Sequence, residues 1–139
     1  MAVIGKLHPM LVHFPIGLIL AGAGAELLAL VTHRATWRAV SVANVRAGAV
    51  MGILTAIAGW WLASAPIVEP TRSLTLHTWV GLAAAGAASA AALISMQPRV
   101  HSRRLVVSYQ AALFVAAAFV GIAGHLGAAL VWGTDFLWR

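Results

Sequence analysis

The chain has 139 residues, of which 62% are hydrophobic and only 9% charged, with a formal charge of +6. A water-soluble domain carries about a quarter charged residues to cover its surface, so that class is excluded. Disorder is excluded for the opposite reason, since so much apolar material cannot stay solvated. The absence of cysteine removes disulfides, thiolate zinc sites, cysteine-held iron–sulfur clusters and covalently attached c-type haem. The basic balance would suit nucleic acid in a soluble protein. Here the bases are few and lie between apolar runs, where they orient a chain in a membrane. No nucleic-acid partner is expected.

Four apolar segments are long enough to cross a hydrocarbon core that needs about 20 helical residues. Within a single domain, residues 1–139, they predict spans from Pro9 to Val31, Ala39 to Ala63, Leu74 to Ser95 and Leu105 to Trp132. The breaks have physical causes. His33-Arg34-Ala35-Thr36 is polar, Pro66 and Pro70 interrupt the second loop, and Gln97-Pro98-Arg99 opens a third that includes His101, Arg103 and Arg104. Proline lacks a backbone donor and clashes with the preceding turn, so it sits between spans. Ala23-Gly24-Ala25 resembles a signal-peptide cleavage site, but the residues before it include one lysine, two histidines and two prolines, unlike such a peptide.

Arg34, Arg38, Arg99, Arg103 and Arg104 cluster at the first and third loops. Lys6, Arg72 and Arg139 lie on the other side, diluted by Glu69 and Asp135. The positive-inside rule then puts the basic loops in the cytoplasm and both termini outside. Trp60, Trp61, Trp79, Trp132 and Trp138 fall at outer interfaces and Trp37 at the inner one. The expected fold is all-α, an up-and-down bundle of four transmembrane helices. Its expected location is a bacterial inner membrane, multi-pass, with both termini periplasmic.

Four of the six histidines map to the outer half: His8, His13, His77 and His125. At 1.5 Å per residue, His125 lies roughly 10 Å below Trp132, with His77 and His13 somewhat shallower. Imidazole in lipid is costly and calls for a bundle interior, a partner or a ligand. Haem b suits this set, because it needs only one or two axial imidazoles and an apolar slot. His13, His77 and His125 are the preferred axial candidates, with the more interfacial His8 fourth. Four ligands would hold two haems, two ligands one. Gly17, Gly81, Gly121, Gly124 and Gly127 lie near these positions and leave room for a flat macrocycle. Copper or zinc on the same histidines is the alternative metal reading. A structural or assembly subunit, with no cofactor and histidines that only hydrogen-bond, is the reading from another class. On the inner side, Glu26 and Arg46 come to similar depth, which predicts an ion pair clamping spans one and two.

His8-Pro9-Met10-Leu11-Val12-His13-Phe14-Pro15-Ile16 and Gly124-His125-Leu126-Gly127 resemble the motifs of the bacterial predicted-membrane-protein family DUF2231, as do Glu26 and His77. The resemblance covers nearly the whole chain and implies four helices with a suspected haem or redox role. Two departures stand out: Ala128 replaces a glycine, and Trp60-Trp61 replaces an acidic residue near the end of span two. The function expected is a haem-binding subunit that transfers electrons near the periplasmic face, a non-catalytic carrier rather than an enzyme. Its expected partners are the lipid bilayer, other subunits of a redox complex or a periplasmic carrier, and quinone. No nucleophile–base arrangement or phosphate-cradling loop supports hydrolysis.

Overall fold

A computed structural model describes residues 5–98 and 102–133. Arg99, His101, Asp135, Trp138 and Arg139 lie outside the described residues. A short helical turn, His8–Leu11, leads into His13–Thr32, and together these form span one, His8–Thr32. Spans two, three and four are Ala35–Ala63, Arg72–Ser95 and Arg103–Trp132. All four are long and apolar enough to cross a membrane, and no strand occurs among the described residues. Each span packs against its chain neighbour and the fourth closes on the first, which makes an up-and-down bundle.

Local chemistry sets the helix ends. Pro9 opens the first turn, where its missing N–H costs nothing. Span one stops at His33, which takes the left-handed conformation (φ 55°), and Arg34 turns the chain straight into span two. Thr71 caps span three by accepting from Leu74 N at 3.1 Å, and Ser102 caps span four by accepting from Leu105 N at 3.4 Å. Each satisfies one of the orphan donors at a helix start. Span two begins four residues before the expected Ala39, and its first turns carry Trp37 and Arg38. Long basic side chains reach away from an apolar helix end, so polarity there does not end the helix.

The core is built from small residues. Ala84, Ala88, Ala91 and Ala92 of span three meet Tyr109, Leu113, Ala116 and Val120 of span four, with Ile19, Ala23, Val45 and Ala49 from the other two spans. Alanine at these positions lets helix backbones approach closely, which is how helices associate where no hydrophobic drive separates them from lipid. Many large apolar side chains point outward: Leu27, Ile53, Leu54, Trp79, Val107 and Ile122 are all exposed.

The burial pattern repeats. Adding 69 to Pro15, Ile19, Gly22, Ala23 and Glu26 gives Ala84, Ala88, Ala91, Ala92 and Ser95, and all ten are buried. Adding 68 to Ser41, Val45, Gly48 and Gly52 gives Tyr109, Leu113, Ala116 and Val120, again all buried. Spans two and four start at residues 35 and 103, at the same offset. Spans one–two and three–four are therefore two similar hairpins about a pseudo-two-fold axis along the bundle. Equivalent residues meet only at such an axis. Two polar pairs among the described residues do so: Ser41 with Tyr109, whose hydroxyls are 2.7 Å apart, and His8 with His77.

Candidate functional site

His8 and His77 sit at the end of the bundle opposite the short His33–Arg34 connection. Their ring centroids are 6.1 Å apart and their planes 81° from parallel. Each ring is anchored in the same way on the next span of its own hairpin. His8 Nδ1 is 3.0 Å from Thr55 O, and His77 Nδ1 is 3.0 Å from Ala123 O. A carbonyl can only accept, so both Nδ1 atoms are donors, and in the neutral ring Nε2 keeps a lone pair.

A glycine one turn further along makes room for each ring. A Cβ on Gly59 would lie 2.7 Å from His8 Cε1, and one on Gly127 would lie 3.1 Å from His77 Cε1. Thr55 and Ala123 each precede their glycine by four residues. The imidazole thus lies in the gap left by the absent side chain and reaches the carbonyl of the turn beneath it. In metal sites, this second-nitrogen bond to a carbonyl fixes the tautomer and aims the ligating nitrogen.

The structure brings together two of the four expected histidines. His8, ranked last for its interfacial depth, is in the pair, because the break at Val12 separates its turn from the rest of span one and lays it on span two. His13 and His125 are exposed, and His13 Nδ1 reaches only Met10 O, at 3.4 Å. Among the described residues no group of three or more His, Asp or Glu side chains converges. Of the five glycines expected to open a slot, Gly17, Gly81 and Gly121 border free space, Gly124 faces Ile16 Cδ1 at 3.5 Å and Gly127 lies against the His77 ring. Gly59 was not among the sequence candidates. Its signal was the matched spacing, His8 to Gly59 spanning 51 residues and His77 to Gly127 spanning 50.

At the other end, the expected Glu26–Arg46 pair is replaced by a different one. Glu26 is fully buried, and its Oε1 accepts from Arg38 Nη2 at 2.6 Å and Gln110 Nε2 at 2.8 Å. The reason is the early start of span two. Four added residues sink Arg46 about 6 Å further from the helix start and bring Arg38 within reach of Glu26. Arg46 instead donates to Ser95 Oγ at 2.9 Å and Ser95 O at 2.7 Å. It thereby caps the last turn of span three, where carbonyls lack partners and the helix dipole favours a cation.

No curated protein and no solved structure matches this chain. A family model described as a predicted membrane protein, DUF2231, matches residues 5–136. The chain therefore belongs to the DUF2231 family of membrane proteins.

Proposed function

We propose that the protein is a b-type haem subunit of a bacterial inner membrane, carrying electrons near the periplasmic face, in which His8 and His77 would hold the haem iron. The observation that carries this is the anchored pair: two Nδ1–H groups fixed on carbonyls and two Nε2 atoms left as ligands. At about 2 Å per metal–nitrogen bond, two imidazoles this close could both reach one metal ion. Their ring centroids are 6.1 Å apart. A pair without a third ligand also suits haem, which brings its own four equatorial nitrogens. Zinc sites, by contrast, take three or four ligands from the protein. When bound, haem supplies one-electron chemistry. The chain's own part is to hold the imidazoles rigid from two hairpins and to keep their surroundings apolar. Gly81, one turn below His77 with nothing within 4 Å of a Cβ, offers an approach for a flat ring.

Orientation rests on the arginines. Arg34 and Arg38 on one side and Arg103 and Arg104 on the other flank the ends opposite the histidine pair, and the positive-inside rule assigns that end to the cytoplasm. A second reading, a cofactor-free clamp, has one specific observation behind it: each imidazole also ties two spans of a hairpin together through its carbonyl bond.

Difference absorbance on purified protein separates the two. The haem reading expects a Soret band and a reduced α-band that are lost in His8→Ala and in His77→Ala and kept in His13→Ala and His125→Ala. Colourless protein from haem-replete cells, with melting temperature lowered by the first two changes, would establish the clamp.

A further inference from the structure

Span one carries its outer turn across a proline. The carbonyl of Leu11 would ordinarily accept from the N–H four residues on, but that residue is Pro15, which has none. Thr55 of span two fills the place. Its Oγ1 donates to Leu11 O at 3.3 Å, while its own carbonyl accepts from His8 Nδ1 at 3.0 Å. Thr55 is buried. The hydroxyls of Thr32, Ser64, Thr75, Thr78 and Ser89 each donate to the carbonyl four residues earlier in the chain, the usual recourse of a helical hydroxyl. That of Thr55 crosses to another span instead. The chain around the turn lies close as well: a Cβ on Gly5 would stand 3.1 Å from Leu62 Cα, and one on Gly59 2.7 Å from His8 Cε1.

The other hairpin provides the comparison. At the offsets that relate the halves, Pro15 corresponds to Ala84 and Thr55 to Ala123. Span three runs unbroken from Arg72 to Ser95, so its backbone needs no outside donor at that point, and Ala123 has no hydroxyl to give. Proline and threonine thus occur together in one hairpin and are replaced together in the other. Both hairpins still hold their imidazole on the equivalent carbonyl. A membrane helix tolerates proline where a neighbouring Ser or Thr satisfies the freed carbonyl. We infer that Thr55 is a positioning residue for His8: its hydroxyl latches the His8–Leu11 turn onto span two while its carbonyl orients the imidazole. His77 rides on a continuous helix and depends on no such latch. His8 is therefore the member of the pair that one lost hydrogen bond sets free. The purpose of the latch rests on the haem reading, but its geometry does not.

Diethylpyrocarbonate modification of the full chain in phosphatidylcholine nanodiscs, without added haem, tests this, with peptide mass spectrometry comparing His8 with His77 in the same sample. Thr55→Val keeps the carbonyl and the side-chain shape and removes only the hydroxyl. The ratio of His8 to His77 modification is expected to rise about fivefold, the population shift that one lost hydrogen bond gives. Thr55→Ala is the second variant with the same expectation. Thr55→Ser keeps the wild-type ratio. So does the double variant Pro15→Ala, Thr55→Ala, which copies the other hairpin and supplies Leu11 O with a backbone donor. An unchanged ratio in Thr55→Val and Thr55→Ala overturns the latch, as does a raised ratio in Thr55→Ser or in the double variant. On haem-loaded protein, Thr55→Val is expected to move the ferric spectrum from low spin toward high spin, as loss of one axial imidazole does. Absorbance thereby keeps the two readings apart. Colourless protein that shows the ratio change sinks the redox centre alone, and haem binding with an unmoved ratio sinks the latch alone.

Discussion

The two ends of the bundle treat the same pseudo-symmetry in opposite ways. At one end equivalent positions hold equivalent residues, His8 and His77, each on a glycine and each bonded to a carbonyl at 3.0 Å. At the other end Glu26 corresponds to Ser95, and Ser41 meets Tyr109. A ligand centred on the axis needs matched donors from both halves, and only the first end supplies them. The second end solves a different problem, which is how to bury charge where helices must still pack. It does so asymmetrically, with Arg38 and Gln110 converging on one carboxylate oxygen and Arg46 spent on a helix terminus. The histidine pair and the charge clamp are thus separated along the axis, and each can be damaged without the other.

The largest expected effect on folding comes from splitting the clamp. Arg38→Met leaves the buried Glu26 carboxylate with Gln110 alone, and breaking a buried pair this way costs about 3–5 kcal/mol. Arg38 is one-third exposed, so the lower part of that range applies. Glu26→Leu costs less, because the freed guanidinium can extend to the aqueous side. The double variant recovers most of the loss, since replacing both charges by apolar groups removes the desolvation penalty with the attraction. Thermal unfolding in detergent checks the order of the three, and haem absorbance should stay unchanged in all of them. A double variant no better than Arg38→Met would mean that the arginine matters for something other than this carboxylate.

The glycine steps under the imidazoles should give a smaller and graded response. Gly59→Ala places a methyl 2.7 Å from His8 Cε1, whereas Gly127→Ala places one 3.1 Å from His77 Cε1. The first contact is closer than side chains tolerate and the second only tight, so overpacking displaces His8 more than His77. Haem occupancy measured by pyridine haemochrome is expected to fall further in Gly59→Ala than in Gly127→Ala. Equal occupancy in both variants would show that the rings are not held by these steps.

Much of this architecture could be read in advance and some could not. Hydropathy located all four spans, because a bilayer leaves few ways to satisfy backbone polar groups. It placed the start of span two late, because Trp37 and Arg38 look like loop when only polarity is counted, and that shift misassigned the partner of Glu26. Depth counting gathered the histidines into one layer but ignored azimuth. His13 and His125 share the layer and face outward, while His8, judged too shallow, faces His77. The repeat was hidden because the halves agree in burial rather than identity: Ile19 stands where Ala88 does, and Val45 where Leu113 does.

The smallest effect is expected where the axis crosses the clamp end. Ser41 and Tyr109 share one buried hydrogen bond of 2.7 Å between hydroxyls, and such a bond contributes about 1 kcal/mol net. Tyr109→Phe keeps the ring in the core and strands the serine hydroxyl. A serine in a helix can turn back to the carbonyl four residues earlier, which limits the loss. Ser41→Ala strands the phenol instead, and a buried phenol has no such local acceptor within its own turn. The serine change is therefore expected to destabilise more than the tyrosine change, although it removes the smaller group. The double variant should be no worse than Ser41→Ala alone. Unfolding midpoints for the three variants close the cycle. An interaction energy near zero would mean that the hairpins meet at this point without being held there, leaving the histidine pair as the only polar contact between equivalent positions among the described residues.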